Sequence, residues 1–428
     1  MSLERRVVII GAGPAGIGAG IALGDRGIVV DGCPELGGLA RTIDLDGAVF
    51  DMGGHSFHTP HADVRALVWS SLEMVEQPRD ARCYSRGQMI PYPFQAHFRE
   101  LQDPDVVREC ASGLAAAPGA KVGGNLEEFL SDRYGAGIAR HFLLPYNRKL
   151  WQVDLTRLAV DWVSERIAAP ERTRESFAES GGRRRPLQGD TIVAYPARGG
   201  FGQIWRALAE RLGDLRLGKT VMRVDPLRGE VVLAGGEVLH WQRLVSTMPL
   251  PELLNILSDV PPTLIRDAGE LEFLSLALVL IVIGHPVDTA IQRVYCAGPE
   301  SPAHKTAINH TSSPYLRSLP HHGILAEVSC PAGRTWSPGE LEGQVVEGLV
   351  AMKLIQSPAE VRSARVIRVR YAYPVPTPGR AAIVERLRHW LEERGIHTVG
   401  RFGEWAYINS DEALHRGLAL GRALLESP

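Results

Sequence analysis

The stretch Arg6 to Ala40, RVVIIGAGPAGIGAGIALGDRGIVVDGCPELGGLA, decides the fold. An apolar run, Val7 to Ile10, ends at Gly11-Ala12-Gly13-Pro14-Ala15-Gly16, and an alanine- and glycine-rich segment then reads as a helix to Leu23. Strand, glycine triplet and helix in that order are the context in which a dinucleotide is held. Gly11 makes the tight turn, Gly13 lets the backbone approach a pyrophosphate, and Gly16 permits close helix–strand packing. Unpaired N–H groups of the first helical turn, around Ala15, receive the phosphates. A second apolar run, Ile28 to Val30, ends at Asp31, placed to accept hydrogen bonds from a ribose.

The next residues choose the cofactor. Gly37-Gly38-Leu39-Ala40-Arg41 follows the acidic strand end directly, and this second glycine pair resembles the two-dinucleotide-binding FAD proteins. FAD is therefore expected rather than NAD as the resident group, with Gly38, Leu39 and Ala40 beside it. The expected fold class is α/β: a Rossmann-like FAD-binding domain with a helical insertion and a β-sheet substrate domain.

The chain has 428 residues, enough for two or three units, and a net charge of −2 with both signs interspersed. No nucleic-acid or membrane partner is expected from that balance. The local cluster Arg183-Arg184-Arg185 reads as a solvated loop. Five scattered cysteines lack ligand spacing, so free thiols, no metal and a reducing, cytoplasmic setting are expected. The longest apolar run, Leu274 to Ile283, is about half a membrane span.

Residues 1–60 read as the first part of the FAD domain and 61–190 as a helical substrate domain. Residues 191–250 read as a return to the nucleotide-binding sheet, with Val221 near the adenine. Residues 251–380 carry β signals that suit a substrate-facing sheet, and 381–428 close the FAD domain.

Four segments together resemble the UDP-galactopyranose mutases, closest to the eukaryote-like type. They are Phe50-Asp51-Met52-Gly53-Gly54-His55-Ser56-Phe57-His58; Pro145 to Trp151 with Trp162; Tyr195 to Trp205; and Tyr373 to Thr377 joined to Gly400 to Asp411. The resemblance implies interconversion of the pyranose and furanose forms of a nucleotide sugar, most simply UDP-galactose. It implies attack of reduced FAD N5 on the anomeric carbon, with NAD(P)H the candidate external reductant. A homo-oligomer is compatible with the family.

Site residues follow from the same likeness. Gly53, Gly54 and His55 would face the flavin, and Gly400, Arg401, Tyr407, Ile408 and Asn409 would close over it. His55, Arg401 and Asn409 are the catalytic candidates. Tyr92, Phe94 and Gln95, with Tyr146 and Asn147, would hold the base. Trp151, Trp162, Arg166, Arg198, Lys305, Tyr373 and Tyr407 would surround sugar and diphosphate. One departure is visible: His304-Lys305 stands where eukaryote-like members carry a tyrosine–arginine pair, and lysine loses the guanidinium fork. Arg166, Arg172 and Arg293 are alternative cations for the clamp. The rival reading is an amine oxidase- or protoporphyrinogen oxidase-like flavoenzyme, which needs an apolar tunnel; the third is a non-catalytic nucleotide-sugar binder.

Overall fold

The computed structural model describes residues 7–119, 124–163, 167, 192–331 and 336–426. Arg166, Arg172 and the Arg183–Arg185 cluster lie outside the described residues. At the centre is a five-stranded parallel sheet in the order Ile396–Thr398, Arg243–Ser246, Val7–Ile10, Gly27–Asp31, Asp214–Leu217. Val7–Ile10 is buried along its length, as a strand covered on both faces must be.

The helix Pro14–Leu23 is apolar around its circumference because it is covered on more than one side. The C-terminal helix Ser410–Glu426 lies against it, and the approach is backbone to backbone. A Cβ on Gly417 would stand 2.0 Å from the Ala15 carbonyl oxygen, and one on Gly18 would stand 2.4 Å from that of Leu414. Gly16 has the role its position implied, since a Cβ there would fall 1.8 Å from the Gly11 oxygen.

A seven-stranded sheet forms the other half. Its order is Val361–Pro374, Phe273–Ile283, His322–Cys330, Lys305–Ile308, Arg293–Cys296, Ala81–Ser85, Gln88–Pro91. The unbroken apolar run of Phe273–Ile283 is explained by cover on both faces. Leu276, Leu278, Leu280 and Val282 meet the helical lobe, whereas Ala277, Val279, Ile281 and Ile283 meet the layer that holds helix Pro338–Ala351. Among the described residues no helix is long and apolar enough to cross a membrane.

Two expectations are corrected. The stretch read as helical carries Met74–Pro78, Ala81–Ser85 and Gln88–Pro91, and the last two complete the large sheet. Such short strands leave too few residues for their alternation to stand out. Val221 begins the strand Val221–Asp225, which belongs to a separate three-stranded antiparallel sheet; the parallel sheet takes the polar, half-buried Asp214–Leu217 instead. No disulfide joins any of the five cysteines.

Candidate active site

A cavity of about 480 Å³ runs from the first glycine turn to the inner face of the seven-stranded sheet. At one end Gly11, Gly13, Ala15, Asp31, Gly38, Leu39 and Ala40 line it. Gly13 precedes the helix without any side-chain cap, so the first-turn N–H groups are left to a ligand. Gly38 has φ +53°, and a Cβ on it would lie 3.4 Å from the Gly13 Cα. Asp31 braces the turn: its carboxylate accepts from Ala12 N and Cys33 N, both at 2.7 Å. Paired glycine backbones, an uncapped helix start and a strand-end carboxylate fit the pyrophosphate and ribose of FAD.

The middle wall is the loop Gly53–His58. Gly53 has φ +130°, a conformation that favours glycine. The half-buried His55 ring stacks on Phe201 at 4.9 Å. Burial and the nearby Lys305, Arg293 and Arg401 charges push its pKa down to about 3, against the opposing pull of Glu327. His55 is therefore a neutral imidazole at neutral pH. Asp51 anchors this support. It accepts from Tyr195 OH at 2.6 Å, Thr42 Oγ1 at 2.7 Å and Phe201 N at 2.9 Å, and burial raises its pKa to about 6.

The far wall is the sheet face. Tyr295, Lys305 and Glu327 are successive cross-strand partners, Tyr295 opposite Lys305 and Lys305 opposite Glu327. Arg293 reaches Ser56 Oγ at 3.1 Å, and Arg79 donates to Tyr295 OH at 3.0 Å. Burial raises the Tyr295 pKa, but Arg79, Arg293 and Lys305 together draw it below the usual tyrosine range. Burial alone would also raise the Glu327 carboxyl. Lys305, His304 and the Gly54 N–H overcome that and hold it at about 2, ionised. Three cations and one carboxylate thus face the cavity from this wall, a net positive site.

Tyr146, Lys305, Tyr373, Arg401, Tyr407, Ile408 and Asn409 line the cavity, as do Gly53, Gly54, His55 and Gly400. Arg401 commits its guanidinium to the carbonyl oxygens of Ile408 and Ala372, with the Tyr373 and Tyr407 rings within 6 Å. It fastens the C-terminal loop to the sheet.

Other expected residues do not reach the cavity. Phe94 is fully buried against Phe142, and Gln95 is buried beside it. Tyr92 packs on Tyr295 one layer behind the wall. Asn147 bonds the Leu143 carbonyl within its own helix. Trp151 and Trp162 each stand 5.9 Å from Tyr407 and support it from behind. Arg198 is exposed, because Gly199 and Gly200 make room for Gln203 and Thr42 and not for a ligand. Gly16 is spent on the turn itself, and Val221 lies outside the cavity lining.

Arg79, Tyr295 and Glu327 escaped the sequence reading. Their signal was parity: Arg293 and Tyr295, Lys305 and Ala307, Leu325 and Glu327 alternate onto one face, and Arg79 precedes Ala81 and Cys83 in the same phase.

Among solved structures, the chain resembles a reduced UDP-galactopyranose mutase with a TM-score of 0.89 and 25% identity, covering 99% of this chain and 94% of that one. A protoporphyrinogen oxidase candidate from Exiguobacterium sp. aligns over 100% of both chains at 17% identity and TM-score 0.75. A putrescine oxidase variant aligns over 99% of both chains at 17% identity and TM-score 0.69. The latter two share the fold. The sequence profile of the flavin-containing amine oxidoreductases matches residues 19–401. With a match of that extent, over a cavity whose glycine turn suits FAD, the chain belongs to the flavin-containing amine oxidoreductase family.

Proposed function

We propose that the protein is an FAD-dependent mutase that interconverts the pyranose and furanose forms of a nucleotide sugar, most simply UDP-galactose. The observation that carries this reading is the convergence of Arg79, Arg293 and Lys305 on one wall of the cavity, beside His55. Such a wall attracts a diphosphate and repels a protonated amine. It is also unlike the apolar tunnel that a porphyrinogen or polyene requires. The likeness to the reduced UDP-galactopyranose mutase supports the same reading.

Within this reading Arg79 and Arg293 supply the guanidinium forks that Lys305 lacks. Tyr373 and Tyr407 offer hydroxyls to the diphosphate or sugar. Reduced FAD, held at the glycine turn, would supply the nucleophile for the anomeric carbon. His55, uncharged, would offer a hydrogen bond to the flavin without adding a charge there. Trp151 and Trp162 behind Tyr407 keep water from that side. NAD(P)H is the external reductant in this scheme.

Dithionite-reduced holoprotein incubated with UDP-galactofuranose yields UDP-galactopyranose without oxygen consumption if the reading is right. Absence of conversion, together with rapid flavin reduction by an amine, assigns the protein to the oxidases instead.

A further inference from the structure

Glu327 ties several parts of the cavity wall together. It is 1% exposed, yet ionised, and both of its oxygens are engaged. Oε1 accepts from Gly54 N at 2.7 Å and pairs with Lys305 Nζ at 2.8 Å. Oε2 accepts from Tyr373 OH at 3.3 Å and lies 3.7 Å from His304 Nε2. The same carboxylate therefore touches the Gly53–His55 loop, the cationic sheet wall and the strand that meets the C-terminal closure.

A buried carboxylate is costly to keep, and a purely structural bond to Gly54 N could be made by a neutral acceptor. What a neutral acceptor cannot do is offset Lys305. We propose that Glu327 is a positioning residue that holds Gly54 and His55 in place while setting the net positive charge felt by both the flavin and the substrate anion. This rests on the reading of that loop as flavin-facing and of the sheet wall as an anion site.

With Glu327 ionised, Lys305 is partly neutralised and the wall's surplus comes from Arg79 and Arg293. An anion arriving at the wall draws Lys305 toward itself, and the Glu327 oxygen shared with Gly54 N transmits that change to the loop. Substrate binding and the flavin's surroundings are thereby linked through one side chain.

Replacing Glu327 by glutamine keeps an acceptor for Gly54 N and removes the negative charge. In FAD-loaded protein without substrate, E327Q is expected to raise the flavin midpoint potential, because added positive charge favours the anionic reduced form. A tenfold shift in the reduction equilibrium, about 30 mV for a two-electron couple, is the size expected. Inorganic pyrophosphate should bind E327Q about tenfold more tightly than the unaltered protein. K305M should move both readings in the opposite direction. A misfolded or loosened site would weaken both in either variant, so opposite signs exclude a merely structural role. An unchanged or lowered potential in E327Q overturns the proposal. A potential that moves as expected while no protein form binds pyrophosphate upholds the Glu327 role and overturns the anion site on which the mutase reading stands.

Discussion

The rings of Phe94 and Phe142 stack with centroids 4.6 Å apart and planes 8° from parallel, and Tyr146 continues the stack beyond Phe142 at 5.6 Å. Inserting a pyrimidine between two rings requires about 7 Å, twice the contact distance of ~3.5 Å. Phe94, expected to stack on a base, is instead satisfied by its own neighbours.

Phe94→Ala is accordingly a core mutation. A loss of about 3–5 kcal/mol is expected, visible as a lower denaturant midpoint. The protein that remains folded and FAD-loaded should bind UDP as before. Loss of UDP binding at unchanged stability would reverse the assignment.

Arg293 lies at the centre of the cation wall, and burial holds its pKa below the usual guanidinium value without threatening its charge. Arg293→Ala should weaken binding of inorganic pyrophosphate by about tenfold or more, the worth of one hydrogen bond to a charged group of ~1.5–3 kcal/mol. FAD content should stay constant, because Arg293 touches Ser56 and not the glycine turn. Titration calorimetry on holoprotein distinguishes this from a general loss of structure.

His304 is 1% exposed, and burial, with Lys305 and Lys149 in support and Glu327 opposing, lowers its pKa to about 3. In the unfolded chain the pKa returns to about 6.5. Between those values the unfolded state binds a proton that the native state refuses. Stability is therefore full above 6.5 and falls as the pH drops toward 3, by up to about 1.4 kcal/mol per pH unit. His304→Gln should flatten the acid side of the stability–pH curve by one proton, measured from denaturant midpoints across that window.

Gly417 meets the Ala15 carbonyl so closely that no side chain fits. Gly417→Ala should push the C-terminal helix off the first helix at a cost of about 1–3 kcal/mol. FAD occupancy should fall with it, since Ala15 and Asn409 both line the cavity. Gly339→Ala, where open space surrounds the added Cβ, is the control and should be neutral or slightly stabilising.

Much of the fold was legible in the chain because its constraints are local. Gly11, with φ +110°, stands where only glycine is comfortable, and Asp31 ends a strand whose apolar run announces it. Ser275 to Ile283 and Gly323 to Cys330 carry strand signals in their composition, and the strands there run Phe273–Ile283 and His322–Cys330. Asp214–Leu217 was not legible, because an edge strand needs no continuous apolar face and its Asp and Arg interrupt the apolar pattern.

The site was legible only in part. His55, Tyr373, Arg401 and Tyr407, singled out from linear motifs, all line the cavity. Phe94, Gln95, Asn147 and Arg198 belonged to equally suggestive motifs, but burial competes for aromatic and amide side chains as strongly as a ligand does. The chain by itself determined the nucleotide turn, the two sheets' principal strands and the loop of Gly53–His55, since backbone dihedrals and alternation are written residue by residue. Tertiary structure alone decided that Tyr295, Lys305 and Glu327 stand side by side with Arg79 and Arg293. Strand register and the closing of distant segments onto one face create that neighbourhood, and neither can be read from spacing along the chain.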